Sequence, residues 1–203
     1  MKKKYLFSII IGLIILNVLL IYKVKFETPQ SNITVDNLRE IEAMYENKFI
    51  IEKENDNLNL DANIKLINIK GDTLFAKDVF KKKQIVLRYS VLNCGDCVDA
   101  ETAILASMKD DFSDEIIIVT YYEKIRGLIF DYKKLEKLGL KNIPIYLLVD
   151  NKLGIPLEKQ NLPYYFNIDS NLNMSNFFIP IKEKPRLSNS YLNFSFKNYL
   201  KKK

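Results

Sequence analysis

Apolar and polar positions divide the chain into an apolar start, a charged helical stretch and a longer body of mixed pattern. Residues 5–22 carry no charged side chain, and as a helix they would span roughly 27 Å, close to the thickness of a bilayer core. Residues 35–49 place an apolar side chain every three or four positions among charges, which predicts an amphipathic helix. Asn and Asp crowd residues 55–63 and indicate a boundary. We therefore predict a membrane anchor at 1–25, a linker with a juxtamembrane helix at 26–57 and a folded domain at 58–203.

The body alternates short β-rich runs with stretches of helical period. A buried strand is predicted at residues 85–91, and apolar side chains at helical spacing follow through residues 98–112. Further strands are predicted at 64–69, 73–75, 115–122, 145–149, 164–169 and 174–179, and further helices at 131–138 and 188–200. The last two strands are expected to pair as a hairpin. This alternation predicts an α/β fold.

Lysines on either side of the apolar stretch predict its orientation. Three lysines precede it at positions 2–4, and Lys23 and Lys25 follow it. The positive-inside rule then puts the start of the chain in the cytoplasm and the residues after 25 in the periplasm, with the anchor in a bacterial inner membrane. A cleaved signal peptide is the alternative. We favour an uncleaved anchor because the stretch is long and no small-x-small cleavage site follows it.

Composition removes several classes of function. The formal charge is +6, and the lysines at 2–4 and 201–203 account for it, so the rest of the chain is neutral and nucleic-acid binding is not expected. The chain contains no histidine, which excludes imidazole-dependent hydrolases and the usual His-bearing metal sites. Two cysteines cannot supply the four ligands of a zinc or iron-sulfur site. We expect no metal and no cofactor, and the chemistry left open is that of one dithiol.

The two cysteines lie where the predicted strand gives way to the predicted helix. Cys94-Gly95-Asp96-Cys97 follows the strand at 85–91 and precedes the apolar stripe. Cysteines three apart in the first turn of a helix can form a reversible disulfide, and the amino terminus of the helix stabilises a thiolate there. In thiol-disulfide exchange the outer sulfur, Cys94, would attack the substrate disulfide, and Cys97 would resolve the mixed disulfide. A structural or vestigial disulfide is the alternative interpretation.

The motif and its surroundings resemble the thioredoxin superfamily over residues 58–180. More narrowly, they are similar to the membrane-tethered, extracytoplasmic TlpA-like branch, which includes divergent thioredoxin-like proteins of the AhpC/TSA type from Bacteroidetes. The resemblance rests on four segments: Lys70-Gly71-Asp72, residues 83–87, the CxxC and residues 162–166. It implies a thioredoxin-like fold, with a central mixed sheet flanked by helices, preceded by a single transmembrane helix.

The resemblance also implies roles for residues outside the CxxC. It implies that Pro163 follows a cis peptide bond, lies beside the disulfide and, with Leu162, forms the substrate-binding segment, where the backbone pairs with a substrate strand. Asn93 stands where the family usually has an aromatic residue, and Arg88 stands where many thioredoxins have a buried acid. The candidates for tuning the redox chemistry are four residues in and before the motif: Asn93, Gly95, Asp96 and Arg88.

Charge around the motif predicts the redox direction. Asp96, Asp99 and Glu101 lie at the start of the helix, where negative charge suits the helix dipole but disfavours a thiolate. We therefore expect these acids to raise the pKa of Cys94 and to stabilise the oxidised form, so that the domain acts as a reductant. Arg88 would oppose this effect if it pointed toward the sulfurs.

Two functions stay open from the sequence. The first is a membrane-anchored thiol-disulfide oxidoreductase that exchanges disulfides with exported proteins and is recharged by a membrane electron donor. The second is a non-catalytic thioredoxin-fold module that binds a partner near Pro163 and keeps a structural or vestigial disulfide. Peroxidase activity of the peroxiredoxin type is disfavoured, because the Thr-x-x-Cys of that family is absent around Cys94.

Overall fold

The computed structural model describes residues 2–27, 29–108 and 115–200, with side chains at 11–23, 38–108 and 115–200. Residues 1–47 and 48–203 form two separate units. The described helices are α1 (Lys2–Glu27), α2 (Pro29–Glu54), α3 (Ala76–Val79), α4 (Gly95–Ser107), α5 (Ile125–Lys137) and α6 (Pro185–Ser195), with a 3-10 helix at Pro156–Gln160 and a π-helical turn at Phe196–Leu200. The described strands are β1 (Leu58–Asn59), β2 (Lys65–Ile67), β3 (Thr73–Phe75), β4 (Gln84–Arg88), β5 (Ile116–Thr120), β6 (Ile145–Leu148), β7 (Tyr164–Ile168) and β8 (Asn173–Phe178).

The first unit consists of α1 and the larger part of α2. The amphipathic helix predicted at 35–49 is part of α2. The predicted membrane span at 5–22 falls within α1, and the side chains of residues 5–10 lie outside the described part of the chain. Over the residues that the structure describes, no helix is both long and apolar enough to cross a membrane. The anchor at residues 1–25 stays a prediction.

The second unit is built on one mixed sheet with the strand order β1-β8-β7-β4-β5-β6-β2-β3. β4, β5 and β6 are parallel neighbours, whereas the other neighbouring pairs are antiparallel. α4 lies between β4 and β5 along the chain, and α5 lies between β5 and β6, because parallel neighbours need a crossover connection. β7 and β8 form the predicted hairpin. The α/β class and the mixed sheet expected from the sequence are confirmed.

The central strands are buried on both faces, and their side chains alternate between two halves of the core. Every residue of β4, β5 and β7 is buried. Ile85 and Leu87 face the half of the core that α4, α5 and α6 cover. Val86 faces the other half, which α3 and the loop carrying Leu153 and Leu157 close. The CxxC helix therefore belongs to one face of the sheet only.

The helix predicted at 131–138 begins earlier, at Ile125. Gly127 lies in its first turn, and because glycine is a poor helix former, the local pattern did not predict a helix there. The structure explains the glycine, because a Cβ at position 127 would overlap the ring of Tyr122. The Tyr122 hydroxyl donates to Asp131 at 2.6 Å and so ties the loop before α5 to the helix.

The helix predicted from the apolar side chains at residues 98–112 is α4, which ends at Ser107, and residues 109–114 lie outside the described part.

One acidic side chain in the last turns of α2 and one just after the helix accept backbone N–H groups of β8 and of the residue after it. Glu52 accepts the N–H of Ile179 at 2.7 Å, and Asp56 accepts the N–H of Phe177 at 3.2 Å. β1 pairs only with the beginning of β8, at Asn173 and Met174. Part of the helix that the sequence analysis placed in the linker thus supplies hydrogen bonds to the folded unit.

Candidate active site

A closed turn between β4 and α4 presents the CxxC. The Ser90 N–H donates to the side-chain oxygen of Asn93 at 2.6 Å, and the Asn93 N–H donates to the Ser90 carbonyl at 3.0 Å. The Ser90 hydroxyl accepts the N–H of Leu92 at 3.2 Å. Short polar side chains such as these favour turns because they bond to nearby backbone groups. The tuning candidate Asn93 therefore shapes the loop that leads into Cys94.

Cys94 caps the start of α4, and Cys97 lies in its first turn. The Cys94 carbonyl accepts the N–H groups of Cys97 at 3.1 Å and Val98 at 3.2 Å, which fixes the backbone between the two sulfurs. Both cysteines are free thiols, with Cys94 exposed and Cys97 half-buried. Gly95 is the first residue of the helix, and a Cβ there would meet no neighbour within 4 Å among the described residues. Packing in the described structure therefore does not require a glycine at this position.

The two thiols differ in acidity. The Cys97 thiol donates a hydrogen bond to the Cys94 sulfur, and this bond lowers the pKa of Cys94. Burial, followed by the hydrogen bond with Cys94 and its charge, raises the pKa of Cys97 to about 11. Cys94 therefore ionises first, and it is also the sulfur that solvent reaches. An exposed nucleophile with a second thiol behind it can attack a disulfide and then be released by internal resolution.

A lysine that follows β8 lies beside the two sulfurs. Lys182 Nζ pairs with Asp96 Oδ2 at 2.8 Å. The positive charge of Lys182 favours both thiolates and so opposes the larger effect of burial on the pKa of Cys97. The sequence analysis missed this residue, because it is separated from Asp96 by 86 positions and lies in a stretch of alternating charge that reads as a solvated loop.

The expectation that acids raise the pKa of Cys94 is wrong for the net effect. Asp96 does act in that direction, but the hydrogen bond from Cys97 has the larger effect, so the pKa of Cys94 is lowered. The carboxylate of Asp96 is also paired, which reduces its influence on the sulfur. The other two acids have partners of their own: Lys134 for Asp99, and Ser188, whose hydroxyl donates at 3.0 Å, for Glu101.

Arg88 does not point toward the sulfurs. Strand alternation places it on the same face of β4 as Val86, opposite the face that α4 covers. Its guanidinium donates to the carbonyl oxygens of Tyr89 and Asn151, the latter at 3.2 Å, and pairs with Glu158 at 3.4 Å. Arg88 therefore does not offset the effect of the acids on the pKa of Cys94. It instead binds the loop before the 3-10 helix.

The peptide bond before Pro163 is trans, so the cis geometry implied by the family resemblance is wrong for this chain. Asn161 adopts the left-handed conformation (φ 51°) at the end of the 3-10 helix and turns the chain toward β7. Because Asn161 makes the turn, no cis bond is needed to begin the strand. Pro163 is buried, and Leu162 beside it is exposed.

A small cleft opens between the CxxC loop and the segment before β7. Three of the predicted site residues line it, Arg88, Asn93 and Leu162, together with residues 151–152. Val91 and Leu92 are 54% and 61% exposed and add apolar surface to the same loop. Neither cysteine is among the described residues that line the cleft, and Asn93, which precedes Cys94, is the lining residue nearest to the motif along the chain.

No protein-family model matches the chain, and no curated protein matches it significantly. A solved structure described as a thiol-disulfide oxidoreductase from Bacteroides vulgatus is 16% identical over 67% of this chain and 96% of that chain, with a TM-score of 0.46. A thiol:disulfide interchange protein from a Bacteroides species is 15% identical over 71% and 94%, with a TM-score of 0.47. The exposed lipoprotein thioredoxin of Streptococcus pneumoniae is 20% identical over 65% and 99%, with a TM-score of 0.43. The chain's own strand order, with the CxxC at the start of the helix after β4, makes the fold thioredoxin-like.

Proposed function

We propose that the chain is a thiol-disulfide oxidoreductase that exchanges disulfides with exported proteins. One observation carries the proposal: an exposed and more acidic thiol, Cys94, receives a hydrogen bond from a half-buried thiol, Cys97, at the start of α4. The helix amino terminus favours the thiolate of Cys94, and the rigid turn before it keeps the sulfur at the surface. The cleft beside Asn93 and Leu162 is our candidate for the place where the client polypeptide lies.

The reaction follows from these positions. The Cys94 thiolate attacks one sulfur of a client disulfide, a Cys94–client bond forms, the client disulfide breaks, and its second sulfur leaves as a thiolate that takes a proton from solvent. Cys97 loses its proton to solvent and attacks the Cys94 sulfur, which forms the Cys94–Cys97 disulfide and releases the first client sulfur. Two electrons have then moved from the dithiol to the client. An electron donor in the membrane would return them.

We further propose that the domain acts as a reductant. The raised pKa of Cys97 keeps that thiol protonated, so it adds nothing to the stability of the reduced form through ionisation. The lowered pKa of Cys94 favours the reduced form, and the Asp96 carboxylate limits this effect, so the proposed direction rests on the protonated Cys97. We expect a reduction potential near the value of about −270 mV of thioredoxins, and a potential near the value of about −120 mV of strong periplasmic oxidants would contradict the direction proposed.

The proposed location is the outer face of a bacterial inner membrane, with residues 1–25 as an uncleaved anchor. The support is the apolar stretch at 5–22 with lysines at 2–4 before it. The test is labelling of Cys94 in intact cells with a membrane-impermeant maleimide, followed by alkaline extraction of the membranes. We expect labelling without cell lysis and retention in the membrane pellet. Labelling only after lysis would overturn the topology, and loss from the pellet would overturn the anchor.

The experiment that tests the exchange reaction is trapping in cells. A Cys97→Ser variant can attack a client but cannot resolve the mixed disulfide, so client proteins should accumulate on Cys94 as reducible, higher-mass species. The Cys94→Ser variant is the matched control, because it keeps one thiol in the same motif but lacks the exposed nucleophile. Equal trapping by the two variants, or none by either, would contradict the proposed reaction.

The second candidate is a binding module that does not exchange disulfides. It is favoured by the cleft, whose lining residues Asn93 and Leu162 could hold a partner without either cysteine. In that case a variant with both cysteines replaced by serine would still capture the partner from a periplasmic extract. Capture that requires Cys94 favours exchange.

A further inference from the structure

Helix α2 holds the segment that runs past the CxxC. This segment, residues 179–183, follows β8 and is called the strap below. Lys48 Nζ donates to the Pro180 carbonyl at 3.2 Å, and Glu52, one turn further along α2, accepts the N–H of Ile179 at 2.7 Å. Side chains at positions four apart lie on one face of a helix. Lys48 and Glu52 therefore form hydrogen bonds to the backbone of two adjacent strap residues.

The strap in turn reaches the reacting thiols. Lys182, two residues after the carbonyl that Lys48 binds, pairs with Asp96 at 2.8 Å between the two cysteines. Glu183 is close enough to both Lys48 and Cys97 to interact with each electrostatically. Lys48 is half-buried and interacts with the Cys97 sulfur in the same way. The described charged groups that face Cys97 therefore come from three elements: Lys48 from α2, Lys182 and Glu183 from the strap, and the Cys94 sulfur from the start of α4.

Cys97 needs a source of positive charge for the second step of exchange. Its thiol must lose a proton before it can attack Cys94, and burial makes this loss unfavourable. Arg88 occupies the position six residues before Cys94, but it points to the other face of the sheet and pairs with Glu158. Lys182 is already bound to Asp96. The charge of Lys182 still acts on Cys97, and Lys48 is the second described cation that interacts with the Cys97 sulfur.

We propose that Lys48 is a positioning residue for Cys97, holding the strap and its Lys182 beside the resolving thiol and adding to the positive charge that stabilises its thiolate. This inference rests on the exchange reaction proposed above. Lys48 does not take part in bond making, because the bond that forms joins Cys97 to Cys94 and the bond that breaks joins Cys94 to the client. The proton of Cys97 passes to solvent, and Lys48 lowers the free energy of the thiolate that remains.

The test measures Cys97 alone, in the full chain with Cys94→Ser, by the pH dependence of its alkylation with iodoacetamide. Lys48→Gln keeps a hydrogen-bond donor for the Pro180 carbonyl but removes the charge. We expect this change to slow alkylation at pH 8 by about three- to ten-fold and to move the midpoint of the profile to higher pH. Lys48→Arg keeps the charge and should restore the rate to within about two-fold.

Lys53→Met is the matched control on the same helix, because Lys53 is exposed and paired with Asp56 away from the strap. It should leave the profile unchanged. A Lys48→Gln profile that coincides with the parent profile would overturn the proposal, and so would an equal shift with Lys48→Arg. Thermal unfolding of each variant checks that the proteins compared are folded. The measurement requires no client, so failure of Lys48 to act on Cys97 is distinguishable from failure of the exchange reaction, which the trapping experiment reports.

Discussion

The ion pairs Lys182–Asp96 and Arg88–Glu158 differ in burial more than in length. Lys182 and Asp96 are joined at 2.8 Å, with side chains 43% and 78% exposed. Arg88 and Glu158 are joined at 3.4 Å, with side chains 4% and 10% exposed. The shorter pair faces solvent, where screening leaves exposed pairs with a median contribution of about 0–1 kcal/mol. The longer pair is enclosed, so the loss of either partner would leave an uncompensated charge in the protein interior.

The comparison teaches that distance is a poor guide to what a charge pair does here. The buried pair stabilises the fold, because Glu158 also accepts the N–H groups of Leu153 at 2.8 Å and Gly154 at 3.2 Å and thereby fixes the loop at that end of the sheet. The exposed pair acts on the chemistry, because the charges of Lys182 and Asp96 have opposite effects on the pKa of Cys94. Substitutions at three positions, Arg88, Lys182 and Asp96, separate the two roles, and a substitution at Glu101 tests burial alone.

The largest expected effect is on stability and comes from Arg88→Met. Glu158 would keep its buried carboxylate without the cation, and breaking a buried pair in this way costs about 3–5 kcal/mol. Urea unfolding at pH 7 measures the loss. The double variant Arg88→Met, Glu158→Gln removes both charges and should recover much of it. A single variant within about 1 kcal/mol of the parent would show that burial does not distinguish the two pairs.

Glu101→Gln extends the comparison to a single buried carboxyl group. Burial raises the pKa of Glu101, so the folded chain holds a proton more tightly than the unfolded chain, and stability falls as the pH rises above the ordinary carboxyl range. The neutral amide avoids this cost and can still accept the Ser188 hydroxyl, so the variant should be more stable than the parent at pH 8 by about 1 kcal/mol. The advantage should disappear at pH 5. Parallel pH profiles of the two proteins would contradict the assignment.

Lys182→Met should change acidity rather than stability. Without the lysine the pKa of Cys94 rises, and alkylation of the Cys97→Ser protein at pH 7 should slow roughly two- to five-fold. The unfolding free energy should move by no more than about 1 kcal/mol. Lys159→Met, on the exposed surface of the 3-10 helix, is the matched control and should change neither quantity. Loss of stability without a change in alkylation would reverse the roles of the two pairs.

The smallest expected effect is that of Asp96→Asn, and it has the opposite sign. Asp96 raises the pKa of Cys94, so the asparagine variant should be alkylated faster, by about two-fold at pH 7. The change is small because Lys182 already pairs with the carboxylate and loses its anchor when the charge is removed. Slower alkylation would mean that Asp96 acts on Cys94 mainly by holding Lys182 in place.

Local pattern predicted the fold because the elements that carry it are strongly periodic. The runs that became β4 and β5 have apolar centres, at residues 85–87 and 116–119, and the CxxC lies where the period changes from strand to helix. The start of α5 was missed for a physical reason. Only a glycine at position 127 leaves room for the ring of Tyr122, but glycine has a low helix propensity. The trans bond before Pro163 was missed because Asn161 makes the turn by itself.

The electrostatic surroundings of the cysteines could not be predicted in the same way. Lys48 and Lys182 reach the site from a helix and a loop far away along the chain. The hydrophobic pattern around each of them does not indicate that it lies near the cysteines. Arg88 was named from the sequence, but its direction depends on strand alternation and on a partner, Glu158, from a 3-10 helix that the pattern did not indicate. Residue identity suggested charge near the sulfurs, and only the tertiary structure decides which charge acts on which sulfur.

The hydrogen bonds that Glu52 and Asp56 make to Ile179 and Phe177 also bear on how the protein behaves at high concentration. Open N–H groups along a strand are a template on which another molecule can add its own strand, and covering them blocks such growth. A chain shortened to begin at residue 58 would lose both carboxylates. We expect it to polymerise side by side under conditions in which the full chain stays dispersed, as light scattering would report.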